Sequence, residues 1–599
     1  MTIIVWRGIL ASRRRGPKLG SVRLNSRSQT FLRRFLWVSE GDLSTAQLRP
    51  WFAVAMIYAL GCVALALRRA FASEYLLADD VREHVFWMFR FIDPRLFPHD
   101  SMADYFQSLA PSGYAGLYWL LTRVGIDPLL ASKLIPSALS LVAVGYFLAL
   151  AARVFRSPAV ATFAAILFCQ CLWSNSDLSS ATPRAFFYPL FVAFLFYNIR
   201  GSMFGVLLTV GLEGLFFPPA ALLSLGVLGL DCLDWGRRFR LTPVKVMRPY
   251  LVLAAASGLI FACLWPYLHS VGTFGPLVTY AAAREMPEFG PVGRVPFFFP
   301  SFWGYWVGGN GGIHSPPTRP PWFVAAFLWP VLRRFPDHFP LLKQVPRGAR
   351  PLSQMAGAAL LLFLAAHLLL FQLYLPNRYT QPTTRVLMTL AAGGVMLALV
   401  DGALRWAGTR SDARLLGATV GFSAVLLGVL LAFPLLLPRF PTASYIRGTD
   451  ADLYRFFARQ PLSIRIASLS DEANNLPTFC RRSITVGAEC AVPFHPAYYL
   501  PLRERGLQLA RAQYSPDLGV VQACVRDQQI DFWLLDRKAF SRKYSSKSRL
   551  LRQLSMSVPH EILGVVEGVR PFLEQPPLGS VVFQDAKFVV LDARRLTRQ

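Results

Sequence analysis

Asp79, Asp80, Glu83 and His84 stand together in the stretch ADDVREH, just after the first long apolar run of the chain. A carboxylate in such a group can take a proton from a hydroxyl, hold a hard divalent cation through oxygen, or simply face water. Read as a helix, the spacing puts Asp80 and His84 on one face and Asp79 and Glu83 on the adjacent face. Phe86, Trp87 and Phe89 follow as an aromatic face. That pattern predicts an amphipathic helix lying along a membrane surface. Asp93, Asp100 and Asp104 come later in the same loop.

The elements that must position these residues are mostly apolar. Of 599 residues 54% are hydrophobic and only 16% are charged, against about a quarter charged in soluble domains. Apolar segments run over 51–67, 129–152, 158–173, 184–199, 203–217, 219–233, 249–268, 321–332, 353–375, 384–404 and 414–437. The expected fold is therefore mainly α, a polytopic bundle of about eleven transmembrane helices. The segments 203–217 and 321–332 are short enough to be broken or re-entrant. The net charge of +28 would suggest nucleic acid in a soluble protein. Here it is read as the cytoplasmic Lys and Arg excess that fixes topology, and no nucleic-acid motif accompanies it.

Residues 1–50 form a basic arm, with Arg13, Arg14, Arg15 and Lys18 among its cations, and show no signal-peptide pattern. With that arm inside, Arg153, Arg156, Arg200, Lys245, Arg248, Arg333, Arg334 and Arg405 fall in inside loops. The loops 68–128 and 269–320 fall outside and are poorer in cations, and residues 438–599 also fall outside. The region 51–437 is thus read as the membrane domain. The loop 269–320 is rich in Pro, Gly and aromatics and is not a regular helix or strand.

The tail 438–599 changes character. LSIRIASL, RSITVG, IDFWLLD, SVVFQD and KFVVLD read as short strands, with helical spacing in DADLYRFFARQ and DLGVVQACVRDQQ. A small extracytoplasmic α/β domain is expected. Cys480 and Cys490 could pair, but a Cx9C spacing is a weak signal. The chain carries no Walker loop, dinucleotide fingerprint, HExxH or zinc-spaced cluster, which disfavours an ATP-driven pump or a zinc protease.

One span, a large outer loop opening on acids and amphipathic helices, many further spans and an outer soluble domain resemble the GT-C superfamily. These are polyprenyl-phosphate-sugar glycosyltransferases, including protein mannosyltransferases and aminoarabinose transferases. The resemblance is architectural and covers most of the chain; ADDVREH is its one sequence motif. It implies a catalytic Asp in the first outer loop, at Asp79 or Asp80, acting on the acceptor as a base or helping to bind a metal such as Mg or Mn. It implies hexosyl or pentosyl transfer from a polyprenyl-phosphate-linked donor to a glycan, lipid or protein acceptor. The expected location is a bacterial inner or plasma membrane, within the cell envelope. The loop has no DxD and the chain no WWDYG-like signature, so an oligosaccharyltransferase proper is not expected.

Such a transfer releases a phosphate anion, so fixed cations should sit where that charge develops. SSATPRAFFYP places Arg184, and PNRYTQPTTRVL places Arg378 and Arg385, at outer ends of spans. Arg294, with Arg284, Glu285, Glu288 and His314, belongs to the second outer loop. Glu83, His84, Arg184, Arg294, Arg378 and Arg385 are the substrate-binding candidates. Glu213 interrupts an apolar run; near the outer surface it would join the site, and deeper it would suggest a proton or ion path. Two other readings stay open. A non-catalytic scaffold would keep the architecture and bind a glycan or partner, and a flippase for a lipid-linked substrate would show polar groups at several depths.

Overall fold

The computed structural model describes residues 43–597 apart from 236–240, 271–272, 314–319, 344, 346–349, 411, 542–543, 545–547 and 556–569. The basic arm up to residue 42 and His314 lie outside the described residues. Among the described residues six helices are long and apolar enough to cross a membrane: Thr45–Ala70, Pro128–Phe155, Arg248–Trp265, Arg350–Leu368, Asn377–Gly408 and Ala413–Leu431. The first begins inside the stretch read as arm, because Ser44 and Gln47 close a capping box there.

At the other expected positions the helices are shorter. Pro158–Trp173 has 16 residues, and Phe187–Arg200, Met203–Phe216 and Pro218–Asp231 have 14 each. At 1.5 Å per residue such helices reach about 21–24 Å, less than a ~30 Å hydrocarbon core. Pro218 and Pro219 start a new helix directly after Phe217, since proline fits the first turn but not an interior. The segment 321–332 is broken into a 3-10 stretch, Pro321–Leu328, and a single turn, Trp329–Leu332.

Nine short strands are described: β1 (Leu76–Ala78), β2 (Leu233–Trp235), β3 (Leu241–Pro243), β4 (Tyr445–Arg447), β5 (Arg465–Ala467), β6 (Ser483–Ile484), β7 (Phe532–Asp536), β8 (Val581–Gln584) and β9 (Phe588–Asp592). The last five make one mixed sheet in the order β6-β5-β7-β9-β8. β5 is parallel to β6 and β7, while β9 is antiparallel to β7 and β8. Cys480 and Cys490 are buried free thiols.

Two cores organise the molecule. One fills the helical bundle around Phe147, Phe168, Phe191 and Val395. The other joins the first outer loop to the C-terminal sheet, packing Phe86, Trp87 and Phe89 with Leu476, Trp533 and Val590. This overturns the surface helix expected over Asp79–Arg90. The helix Val81–His84 has only four residues, a 3-10 stretch Phe86–Phe91 follows, and Phe86, Trp87 and Phe89 are each 1% exposed. The C-terminal domain offers these rings a protein interior, and Arg481 stacks 4.2 Å above the Phe89 ring.

Candidate functional site

The loop after the first span is pinned by strand addition. β1 pairs antiparallel with β4, Leu77 opposite Ile446, and the Asp79 N–H donates to the Ser444 carbonyl at 3.0 Å. Asp79 and Asp80 therefore leave a fixed backbone at the seam between bundle and C-terminal domain. The next turn is short because Asp80 supplies the carbonyl for both Glu83 and His84 N–H groups.

From there the acids divide into two ion-pair networks. Asp79 pairs with Arg82, which also reaches Glu489 at 3.4 Å and the Asn475 amide oxygen at 3.3 Å. Glu83 pairs with Arg294, whose guanidinium donates to the Glu489 carbonyl at 2.8 Å. Arg549 closes this first network on Glu489 at 2.8 Å. Burial and the nearby Glu489 raise the Asp79 carboxyl above its usual range, against the pull of Arg82. Burial, opposed by Arg294 and reinforced by Glu489, pushes Glu83 up to about 8.

The second network carries the surplus of positive charge. Asp80 pairs with Arg184, and Arg184 reaches Asp177 at 3.4 Å. Asp177 also pairs with Arg385, which donates to the Tyr188 hydroxyl at 2.7 Å. Burial would raise the Asp177 carboxyl, but Arg385, Arg184 and Arg378 together hold it down at about 2. Arg378 lies close enough to act electrostatically on both Asp177 and Arg184. Its ring partner is Tyr374, at 5.8 Å, and no carboxylate among the described residues pairs with it. Three guanidiniums thus face two carboxylates. His84 sits between the networks, among Asp80, Arg184, Arg294 and Arg378, and burial pushes its imidazole down to about 4. It is neutral near neutral pH.

All eight candidates Asp79, Asp80, Glu83, His84, Arg184, Arg294, Arg378 and Arg385 fall into these linked networks. Others do not. Asp100 caps the helix Ser101–Leu109, Asp104 pairs with Arg90 at 2.7 Å, and Asp93 pairs with Arg95 at 2.9 Å. Glu288 accepts from the Tyr499 hydroxyl at 2.7 Å and holds the outer loop to the helix Pro496–Tyr514. Arg284 and Glu285 are exposed. Glu213 lies one turn before the end of its helix, fully buried, with neither carboxylate oxygen hydrogen-bonded. It makes none of the ion pairs of the two networks among the described residues.

Four participants were not assigned a role from sequence. Asp177 organises the arginines, and Arg82, Asn475 and Glu489 hold the acids. Asp177 had a readable signal, a lone acid in the polar break SNSDLSS between two apolar helices. Glu489 stands in EANNLPTFCRRSITVGAECAVPFHPAYY, a polar and aromatic stretch that reads equally as a face toward the membrane site or as an ordinary loop. Glu489 is 4% exposed in its side chain and faces Arg82, Arg294 and Arg549. Glu489→Leu should leave those charges without their shared partner, a cost of about 3–5 kcal/mol. A fall in thermal midpoint larger than that of Glu285→Leu, measured in detergent, checks this; equal midpoints would contradict it.

Each of Asp79, Asp80 and Glu83 already holds an arginine, and no group of three or more His, Cys, Asp or Glu among the described residues is placed to hold a metal ion.

No protein-family profile and no curated protein sequence matches the chain. Among solved structures it is similar to the Archaeoglobus fulgidus oligosaccharyltransferase tethered to an acceptor peptide, with TM-score 0.47, 11% identity and coverage of 86% of this chain and 72% of that one. It is similar to the arabinofuranosyltransferase AftD from Mycobacteria, with TM-score 0.44, 14% identity and coverage of 84% and 36%. It is also similar to ArnT from Cupriavidus metallidurans bound to undecaprenyl phosphate, with TM-score 0.41, 15% identity and coverage of 92% and 98%. The three sequence identities are low.

Proposed function

We propose that the chain is a membrane glycosyltransferase that moves a sugar from a polyprenyl-phosphate carrier to an acceptor hydroxyl at the outer face. The observation that carries this is the second network: Arg184, Arg378 and Arg385 outnumber Asp80 and Asp177 beside a pair of partly exposed acids. A surplus cation next to the bundle's end suits one lipid-borne phosphate, and fixed guanidiniums bind such an anion without reorganising.

Asp79 is the proposed base and Asp80 the residue that orients Arg184. Asp79 is 27% exposed in its side chain, so an acceptor hydroxyl can approach it, and its raised proton affinity suits proton abstraction. The acceptor oxygen attacks the anomeric carbon, and its proton passes to Asp79. The bond from that carbon to the phosphate oxygen breaks, and the electron pair leaves with the phosphate, with inversion at carbon. Arg378 and Arg184 meet the growing negative charge. Neutral His84 can donate or accept a hydrogen bond to a sugar hydroxyl without adding charge.

In this reading the arm from residue 1 is cytoplasmic, the domain 438–599 lies outside, and the shorter helices complete the crossings with the six long ones. The arginines take the part a divalent cation would otherwise fill. EDTA should change the rate less than about twofold, as one lost charge-assisted contact would cost far more. A tenfold loss restored by Mg or Mn would overturn that assignment. The reading as a whole is tested by transfer of labelled sugar from undecaprenyl phosphate carriers in membranes, wild type against Asp79→Asn.

A further inference from the structure

We propose that a groove on the C-terminal domain, between the helix Ala451–Ala458 and β8, binds a neutral oligosaccharide. The proposal goes beyond the transfer reaction and does not require it. The groove is a cavity of about 390 Å³ lined by Phe456, Phe583, Asp452, Asp585, Arg455 and Arg459. That volume falls within the range of small-ligand clefts, roughly 300–1,000 Å³.

Its floor is aromatic. The rings of Phe456 and Phe583 lie 5.3 Å apart at 36°, and both are half-buried. Phe456 packs inward on Phe532 at 6.0 Å, which ties this floor to the sheet. A sugar ring has a face of C–H groups that can cover such rings and a rim of hydroxyls that both donate and accept. The rim of the groove matches that mixture. Asp452 and Asp585 supply acceptors, and Arg455 and Arg459 supply donors. Two carboxylates and two guanidiniums cancel, so a phosphate, nucleic acid or acidic peptide gains no net attraction. An uncharged polyhydroxylated ligand fits both the floor and the rim.

Asp585 is held in place by backbone donors, and Asp452 is paired at the surface. Asp585 accepts from the Lys587 and Phe588 backbone N–H groups at 2.6 and 2.7 Å, and Asp452 accepts from Arg455 at 2.7 Å. The Lys587 amine donates to the Thr449 carbonyl at 2.7 Å, clamping the β8–β9 turn to the start of the helix. Groups fixed before binding lose less freedom on binding.

The test uses the full chain in lipid nanodiscs and saturation-transfer NMR with linear tetrasaccharides of glucose, mannose, galactose and arabinose. A heparin tetrasaccharide serves as the anionic comparison. At least one neutral tetrasaccharide should bind with Kd about 0.1–1 mM and more tightly than heparin. Phe583→Ala and Arg459→Ala should each weaken it about tenfold or more. Arg459 is exposed, so that variant keeps the fold even if Phe583→Ala does not. Binding by none of the four neutral sugars, tighter binding of heparin, or unchanged affinity in Arg459→Ala protein with an unchanged thermal midpoint would each overturn the proposal. The readout is binding, so failure here is distinct from failure of sugar transfer.

Discussion

Asp79→Asn protein should lose sugar transfer by about 10³-fold while still binding undecaprenyl phosphate within a few-fold of wild type, since a positioned base contributes roughly 10²–10⁴. The amide keeps the volume of the carboxylate. Arg82 keeps Glu489 at 3.4 Å and Asn475 at 3.3 Å, so the loop stays in place and the loss is one of chemistry. Asp80→Asn should behave differently. It loosens Arg184, so it should raise KM for the carrier more than it lowers kcat. The pH dependence has a definite sign. A base works deprotonated, and burial and the nearby Glu489 make Asp79 hold its proton above the usual carboxylate value. The rate should therefore rise with pH through an apparent pKa above that value, and the limb should vanish in residual Asp79→Asn activity. An unchanged rate in Asp79→Asn, with Asp80→Asn inactive, would exchange the two roles.

The second large effect belongs to Arg378. Arg378→Gln should lower kcat/KM by about 10² and weaken undecaprenyl phosphate binding, because one charge-assisted hydrogen bond is worth about 1.5–3 kcal/mol and developing charge adds to it. Arg378 is the cleanest of the three arginines to test. Removing Arg385 would strip Asp177 of a buried partner, and removing Arg184 would strip Asp80. Removing Arg378 breaks no ion pair among the described residues. Arg378→Lys should recover part of the loss, as a point charge in place of a fork. Full activity in Arg378→Gln, measured as initial rates against carrier concentration, would take the phosphate away from this network.

Much of this was legible because it rests on period and composition. All five runs read as strands in the tail contribute to the mixed sheet, and both runs with helical spacing are helices, Ala451–Ala458 and Leu518–Asp527. The arginines at span ends were found because cations on the poorly charged side of a membrane need a reason. What escaped depends on contacts distant in sequence. Among the described residues the span-length helices number six because the others run only 14–16 residues or are broken, and hydropathy alone does not give those lengths. The aromatic face at Phe86–Phe89 reads as membrane-seeking, yet its cover is the C-terminal domain, hundreds of residues away. Glu489 acquires its role only when that domain docks. The helix Pro496–Tyr514 was hidden by Pro501 and by a stretch dense in aromatics and arginine.

The most direct test of the central claim is a single-turnover assay in proteoliposomes, with radiolabelled sugar on undecaprenyl phosphate and a mixed pool of envelope glycans and lipids as acceptors. Wild type should move label to an acceptor with inverted anomeric configuration, Asp79→Asn should do so about 10³-fold more slowly and Arg378→Gln about 10²-fold more slowly at equal protein. Label left on the carrier by folded wild type that binds undecaprenyl phosphate, or label moved equally by all three proteins, would contradict it.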